Sequence, residues 1–238
     1  MASCNFHTTT PCLSVRFATT PRTMPVHSQL SLDSFWTAQR SLQAAAYNAA
    51  APLHAALSPR HLAHLPRSIV VVLGAPGSGK TSSCVAAAAT LGYTHVCVGA
   101  LLKQEIELGT EDAAEIAACM HAGRLVPTAT VLRVLRHLEK SAGPVLLDGF
   151  PRVQEQIGLM EQFGSVAGAI FLDCKEELLI ERMDKTNCDD PIALLQQFTD
   201  HCLPVVVMYD KVGKLHCIHT EKPWDEVQAE LVSTIKAL

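Results

Sequence analysis

The chain has 238 residues, 48% of them hydrophobic, and a formal net charge of -4, which leaves room for one sizeable α/β domain plus an extension. No stretch approaches the roughly eighteen uncharged apolar residues of a membrane-crossing helix, so no membrane span is expected. The acids lie almost entirely beyond residue 67, and such an acidic body argues against a nucleic-acid surface.

Residues 1–67 form an N-terminal extension carrying Arg16, Arg22, Arg40, Arg60 and Arg67, no Lys and one acid, Asp33. Rich in Ser, Thr, Ala and His, it overlaps in composition with organellar transit peptides, and equally fits a tail without a targeting role. Its stretch 30–57 is Ala-rich and predicts a helix up to Pro52. From Ser68 to Leu238 short β-branched runs alternate with helical stretches, the pattern of one domain with a parallel sheet wrapped by helices. Strands are predicted at Ile69 to Leu73, His95 to Val98, Val145 to Asp148, Ala169 to Asp173 and Leu215 to His219, each apolar enough to be buried on both faces. Helices are predicted to begin near Gly79, Gly99, Asp112, Thr128, Val153, Lys175, Asp190 and Trp224. The nine cysteines are scattered, without CxxC or zinc-finger spacing, and read as reduced thiols of an intracellular protein, cytoplasmic or organellar.

The run Gly74, Ala75, Pro76, Gly77, Ser78, Gly79, Lys80, Thr81 fits GxxxxGK followed by Ser or Thr, and it joins the first predicted strand to the first predicted helix. Its glycines let backbone amides fold around a phosphate chain, and the helix N-terminus adds partial positive charge. Lys80 should reach the β- and γ-phosphates, and Thr81 can offer its hydroxyl to magnesium, the expected cofactor. Ser82 extends this ATP-binding set. An apolar strand ending in Asp148 supplies the carboxylate that holds magnesium through water.

Asp148, Gly149, Phe150, Pro151 and Arg152 resemble the DGFPR signature of adenylate kinases and UMP/CMP kinases, and the resemblance extends over 69–238. It implies a P-loop NTPase fold with a five-stranded parallel sheet, a small monophosphate-binding insertion at about 99–128 and a very short lid at about 183–188. The stretch from Tyr93 to Lys103 is similar to the family's YTHxSTGDLLR, which puts Gly99 and Lys103 at the monophosphate, with Lys103 where the family carries Arg. Gly123 to Pro127 is similar to GxLVP, whose backbone, here Val126, lies against the acceptor base. Gly149 and Arg152 fall at the acceptor phosphate, and Gln156 matches the Gln that reads adenine, where UMP/CMP kinases carry Asn. Arg182 matches the Arg that stacks on the ATP adenine, and Lys222 lies in the segment bordering it. Catalysis is thereby assigned to Lys80, Asp148 and Arg152. The lid departs from the family: Thr186, Asn187 and Phe198 stand where it carries arginines, while Leu194, Leu195 and Phe198 read as a packing stripe. The resemblance implies a monomeric kinase transferring phosphate from ATP to a nucleoside monophosphate, first AMP and alternatively UMP or CMP. The arginine-poor lid leaves a second alternative, a nucleotide-binding protein with a structural or regulatory role.

Overall fold

A computed structural model describes residues 68–238 apart from 137, 139–142, 187 and 189. The helix expected within 30–57 and the position of Asn187 lie outside the described residues. Five parallel strands, β1 (Ser68–Gly74), β2 (Thr94–Cys97), β3 (Val145–Asp148), β4 (Ser165–Asp173) and β5 (Leu215–His219), pair in the order β2-β3-β1-β4-β5. Five β-branched and leucine side chains from Ile69 to Leu73 explain β1's central place, since both faces of a middle strand must be apolar. The strand after the first helix pairs outward, so β1 marks the point where the chain switches sides. Ligands of open parallel sheets bind at the carboxyl ends of strands at such a switch.

Side chains alternate across β1. Ile69, Val71 and Leu73 join one core cluster, and Val70 and Val72 join the other. The second cluster is closed by α1 (Lys80–Leu91), whose small Cys84, Ala87 and Ala88 let it sit close to the sheet, and by α8 (Trp224–Ala237) through Val227, Leu231 and Ile235. The first cluster is covered by α2 (Val98–Leu108), α3 (Ala113–His121), α4 (Thr128–Leu135), α5 (Glu176–Asp184), α6 (Pro191–Gln197) and α7 (Leu203–Lys211). β2 and β5 depart from the expected two-sided burial: β2 is half-buried throughout, and β5 exposes His216 and His219. Both are edge strands, flanked on one side only.

Two local geometries also differ from expectation. The helix predicted at Val153 is instead two 3-10 turns, Gln154–Gln156 and Gly158–Gln162. The helix starting after Asp190, whose side chain caps Ala193 N, opens into a π turn at Phe198–Cys202 before α7. Pro204 has no N–H to donate and its ring would clash with a regular preceding turn, so the ladder is reset by a Leu203 N–H bond to Phe198 O. Cys84, Cys97, Cys119, Cys174, Cys188 and Cys202 are free thiols, whereas Cys217 departs from that reading, being disulfide-bonded. No helix among the described residues is long and apolar enough to cross a membrane.

Candidate functional site

The loop from Gly74 to Gly79 links the central strand to α1 and is shaped by backbone that other residues resist. Gly77 has φ 81°, and a Cβ there would lie 2.8 Å from Leu179 O on α5, so the loop runs too close to that helix for any side chain. Ser78 N donates to Ala75 O at 3.1 Å, closing the turn. Ser78 Oγ is buried without a hydrogen-bond partner, and Lys80 Nζ rests on Ala75 O at 2.9 Å. A loop with a spare buried hydroxyl and a lysine folded onto its own carbonyl is one prepared for an anionic guest. Burial and Arg152 lower the Lys80 pKa, against the opposing pull of Asp148.

Parallel pairing sets Val72 opposite Asp148, which carries the carboxylate at the end of β3 to the start of α1. There Thr81 Oγ1 donates to Asp148 Oδ2 at 2.6 Å. Burial would raise the Asp148 pKa, but the neighbouring His95 ring, the hydrogen bond from Thr81 and the Lys80 charge outweigh it and hold the carboxyl below its ordinary value. The residues expected at one magnesium-phosphate group therefore do converge. Thr81 and Asp148 offer hard oxygen donors side by side, a donor set that fits magnesium.

Two cavities flank this point, and Gly149 and Arg152 line both. The first, beside Gly74, Pro76 and Lys80, is closed from the α6 side by Leu194, Gln197, Phe198 and Cys202. The second is lined by Gly99, Val126 and Gln156 together with Leu102, Met120 and Arg124. Arg152 is held by a bond from Nε to Gly149 O at 3.1 Å. Gln156 is buried: its Oε1 accepts from Arg152 N at 2.7 Å, and its Nε2 donates to Thr128 Oγ1 at 3.0 Å. Those bonds fix which end of the amide faces which way.

Arg182 reaches from α5 to two carbonyls, Gly77 O at 3.3 Å and Thr220 O at 2.9 Å, and so ties the phosphate loop to the turn after β5. Ser82 is exposed on α1, and Ala75 is buried in the loop. Two expected residues stand apart. Lys103 is exposed on α2 outside the cavity that holds Gly99, and Lys222 points to Glu230 on α8 at 2.8 Å. Phe198 is core, stacked on Phe171 with centroids 6.3 Å apart, as the packing-stripe reading had it, but both it and Leu194 of the same stripe also line the phosphate-side cavity. Sequence reasoning passed over Arg124 and Cys202. Arg124 sat inside a segment read for its backbone. Cys202 lies four residues after Phe198, a helical spacing that puts it beside the same cavity, where Arg152 and Lys80 oppose the rise that burial imposes on its thiol pKa.

The sheet order, the glycine loop and the carboxylate beside Thr81 define a P-loop nucleotide-binding protein. The adenylate kinase family profile matches residues 72–214. A protein of Arabidopsis thaliana named "Probable UMP-CMP kinase 1" is 35% identical over 67% of this chain and 84% of its own length. Adenylate kinase isoenzyme 1 of Cyprinus carpio is 33% identical over 71% of this chain and 95% of its own, and the isoenzyme 1 of Caenorhabditis elegans is 32% identical over 75% and 91%. The chain belongs to the adenylate kinase family and is a nucleoside-monophosphate kinase.

Proposed function

We propose that this kinase transfers the γ-phosphoryl group of ATP to AMP, with turnover limited by an arginine-poor lid. The observation that carries the reading is the pair of cavities meeting at Gly149 and Arg152, one beside the phosphate loop and one floored by Gln156. Transfer between two nucleotides needs two such sites sharing a cation, since positioning and charge stabilisation supply most of the catalysis. In this reading the loop amides and Lys80 bind the β- and γ-phosphates, and Arg182 borders the ATP base. Arg152 spans donor and acceptor phosphates, and Gln156 presents its oriented amide to the acceptor base. Thr81 and Asp148 would hold magnesium, which when bound neutralises phosphate charge. The domain is 68–238, with the acceptor-binding insertion at 99–128.

A second acceptor reading, UMP or CMP, draws on the names of relatives such as the two Arabidopsis thaliana UMP-CMP kinases, 35% and 32% identical. Formation of ADP with AMP, CMP, UMP and GMP offered separately decides between them. AMP should give the highest kcat/KM, and Gln156→Asn should shift preference away from it. A pyrimidine monophosphate outperforming AMP would hand the assignment to the second reading, and ATP binding without any transfer would make the chain a binding subunit.

A further inference from the structure

Behind the phosphate loop, on the α1 side of the sheet, three donors of different hardness converge. Cys84 Sγ from α1, a ring nitrogen of His95 from β2 and a carboxylate oxygen of Asp148 from β3 all lie within 4.8 Å of one another. Nε2 of His95 is buried, 3.8 Å from Asp148 Oδ2, and has no hydrogen-bond partner. A buried ring nitrogen left unsatisfied costs free energy unless something else takes its lone pair or proton. An open cavity of about 450 Å³ lined by Thr81, His95, Cys97 and Ala100 lies beside this cluster, on its His95 side.

We propose that Cys84, His95 and Asp148 form a binding site for one thiophilic divalent cation of the zinc class. One sulfur, one imidazole nitrogen and one carboxylate oxygen make a borderline-soft set that suits zinc and that magnesium, which demands oxygen, would not choose. Zinc bonds of about 2.0–2.3 Å require the three donors to draw in by about 1 Å from their present spread. The donors sit on three different elements, so this is a matter of side-chain rotation rather than of refolding one loop. The fourth position is left to water or to the thiol of the neighbouring Cys97, which lines the cavity. Binding releases the Cys84 proton to solvent as the sulfur becomes a thiolate ligand. The ion would also claim Asp148, the carboxylate paired with Thr81, so its occupancy excludes magnesium from that group.

Cobalt(II) tests the site on the full chain, because a thiolate ligand gives it a charge-transfer absorption and a tetrahedral site gives intense visible bands. One equivalent should bind with both signatures and be displaced by zinc, and Cys84→Ser and His95→Gln should each weaken binding at least tenfold. Absence of the thiolate band in the unmodified chain, or a band unchanged in both variants, overturns the proposal. If a variant fails to fold, X-ray absorption of the zinc-loaded unmodified chain decides. A shell with one sulfur, or two if Cys97 joins, supports the site, and a shell with no sulfur or with more than two overturns it. These readouts do not depend on phosphoryl transfer, so they stand or fall apart from the acceptor assignment.

Discussion

Lys80 and Asp173 show how differently burial acts on two charged groups near the nucleotide face. Among the described residues Lys80 Nζ hydrogen-bonds Ala75 O of its own loop alone and belongs to neither core cluster, so removing the side chain leaves the sheet and both clusters in place. Lys80→Ala should keep the fold and lose most ATP affinity. A charge-assisted hydrogen bond is worth about 1.5–3 kcal/mol, hence a roughly 10- to 150-fold rise in Kd by calorimetry. Unchanged binding would sink the phosphate-loop assignment. Asp173, at the end of β4, is buried, and its carboxyl pKa is raised by that burial against the opposing pull of His219 Nδ1 at 3.2 Å. With the folded value above the ordinary carboxyl value, the folded protein binds this proton more tightly than the unfolded chain, and stability falls as pH rises through that window. The ionised carboxylate is then a net cost at neutral pH. Asp173→Asn should raise the thermal midpoint at pH 7, and the gain should shrink on acidification as Asp173 takes up its proton. A lowered midpoint at pH 7 would show that the His219 pair outweighs burial.

The segment from α5 to α7, which the resemblance reads as the lid, carries packing residues where that reading expects arginines. Phe198 lies parallel to Phe171, 5° between ring planes, and is buried, so Phe198→Ala should cost about 3–5 kcal/mol of stability in denaturant titration. An arginine there would be buried without a partner, which makes Thr186 the better place to restore lid charge. Thr186 is exposed, and its Oγ1 donates to Met183 O at 2.8 Å, a bond worth about 1 kcal/mol. Thr186→Arg should therefore lower stability slightly and raise kcat more than it lowers KM, because charge at the transferring phosphoryl group acts chiefly on the transition state. An unchanged kcat would show that the lid is not what limits turnover. The same segment marks the limit of what sequence carries. The phosphate loop and Asp148 to Arg152 are each contiguous, their chemistry written in neighbouring residues, and the pairing of β1 with β3 brings the two runs together. Turn type at Gln154–Gln156 and the π turn at Phe198–Cys202 depend on how the chain must arrive at the core, which periodicity does not encode. The Cys84, His95, Asp148 cluster is a meeting of distant elements, and no local pattern announces it.

For the molecule as a whole, the decisive feature is one sheet serving two cores. Leu203 of α7 lies in the cluster on one face, and Leu231 of α8 lies in the cluster on the other; both are nearly inaccessible to solvent. The clusters share no residue, yet each takes alternate side chains of β1, so neither face can lose its order without exposing the strand that the other packs on. Helices pack about 10 Å from a sheet, which puts the two leucines well beyond the range at which substitutions interact directly. Leu203→Ala and Leu231→Ala should each cost about 2–5 kcal/mol, the usual price of emptying a buried leucine site. Each variant should still unfold in a single transition by both fluorescence and circular dichroism, because the shared sheet couples the faces. The double variant should show the sum of the two losses to within about 0.5 kcal/mol. Two separated transitions would mean that the faces hold together independently. A double loss well short of the sum would mean that one substitution already loosens the sheet under the other. Either result would also bear on function, since the phosphate loop and Asp148 hang from the carboxyl ends of β1 and β3 and keep their spacing only while both faces stay packed.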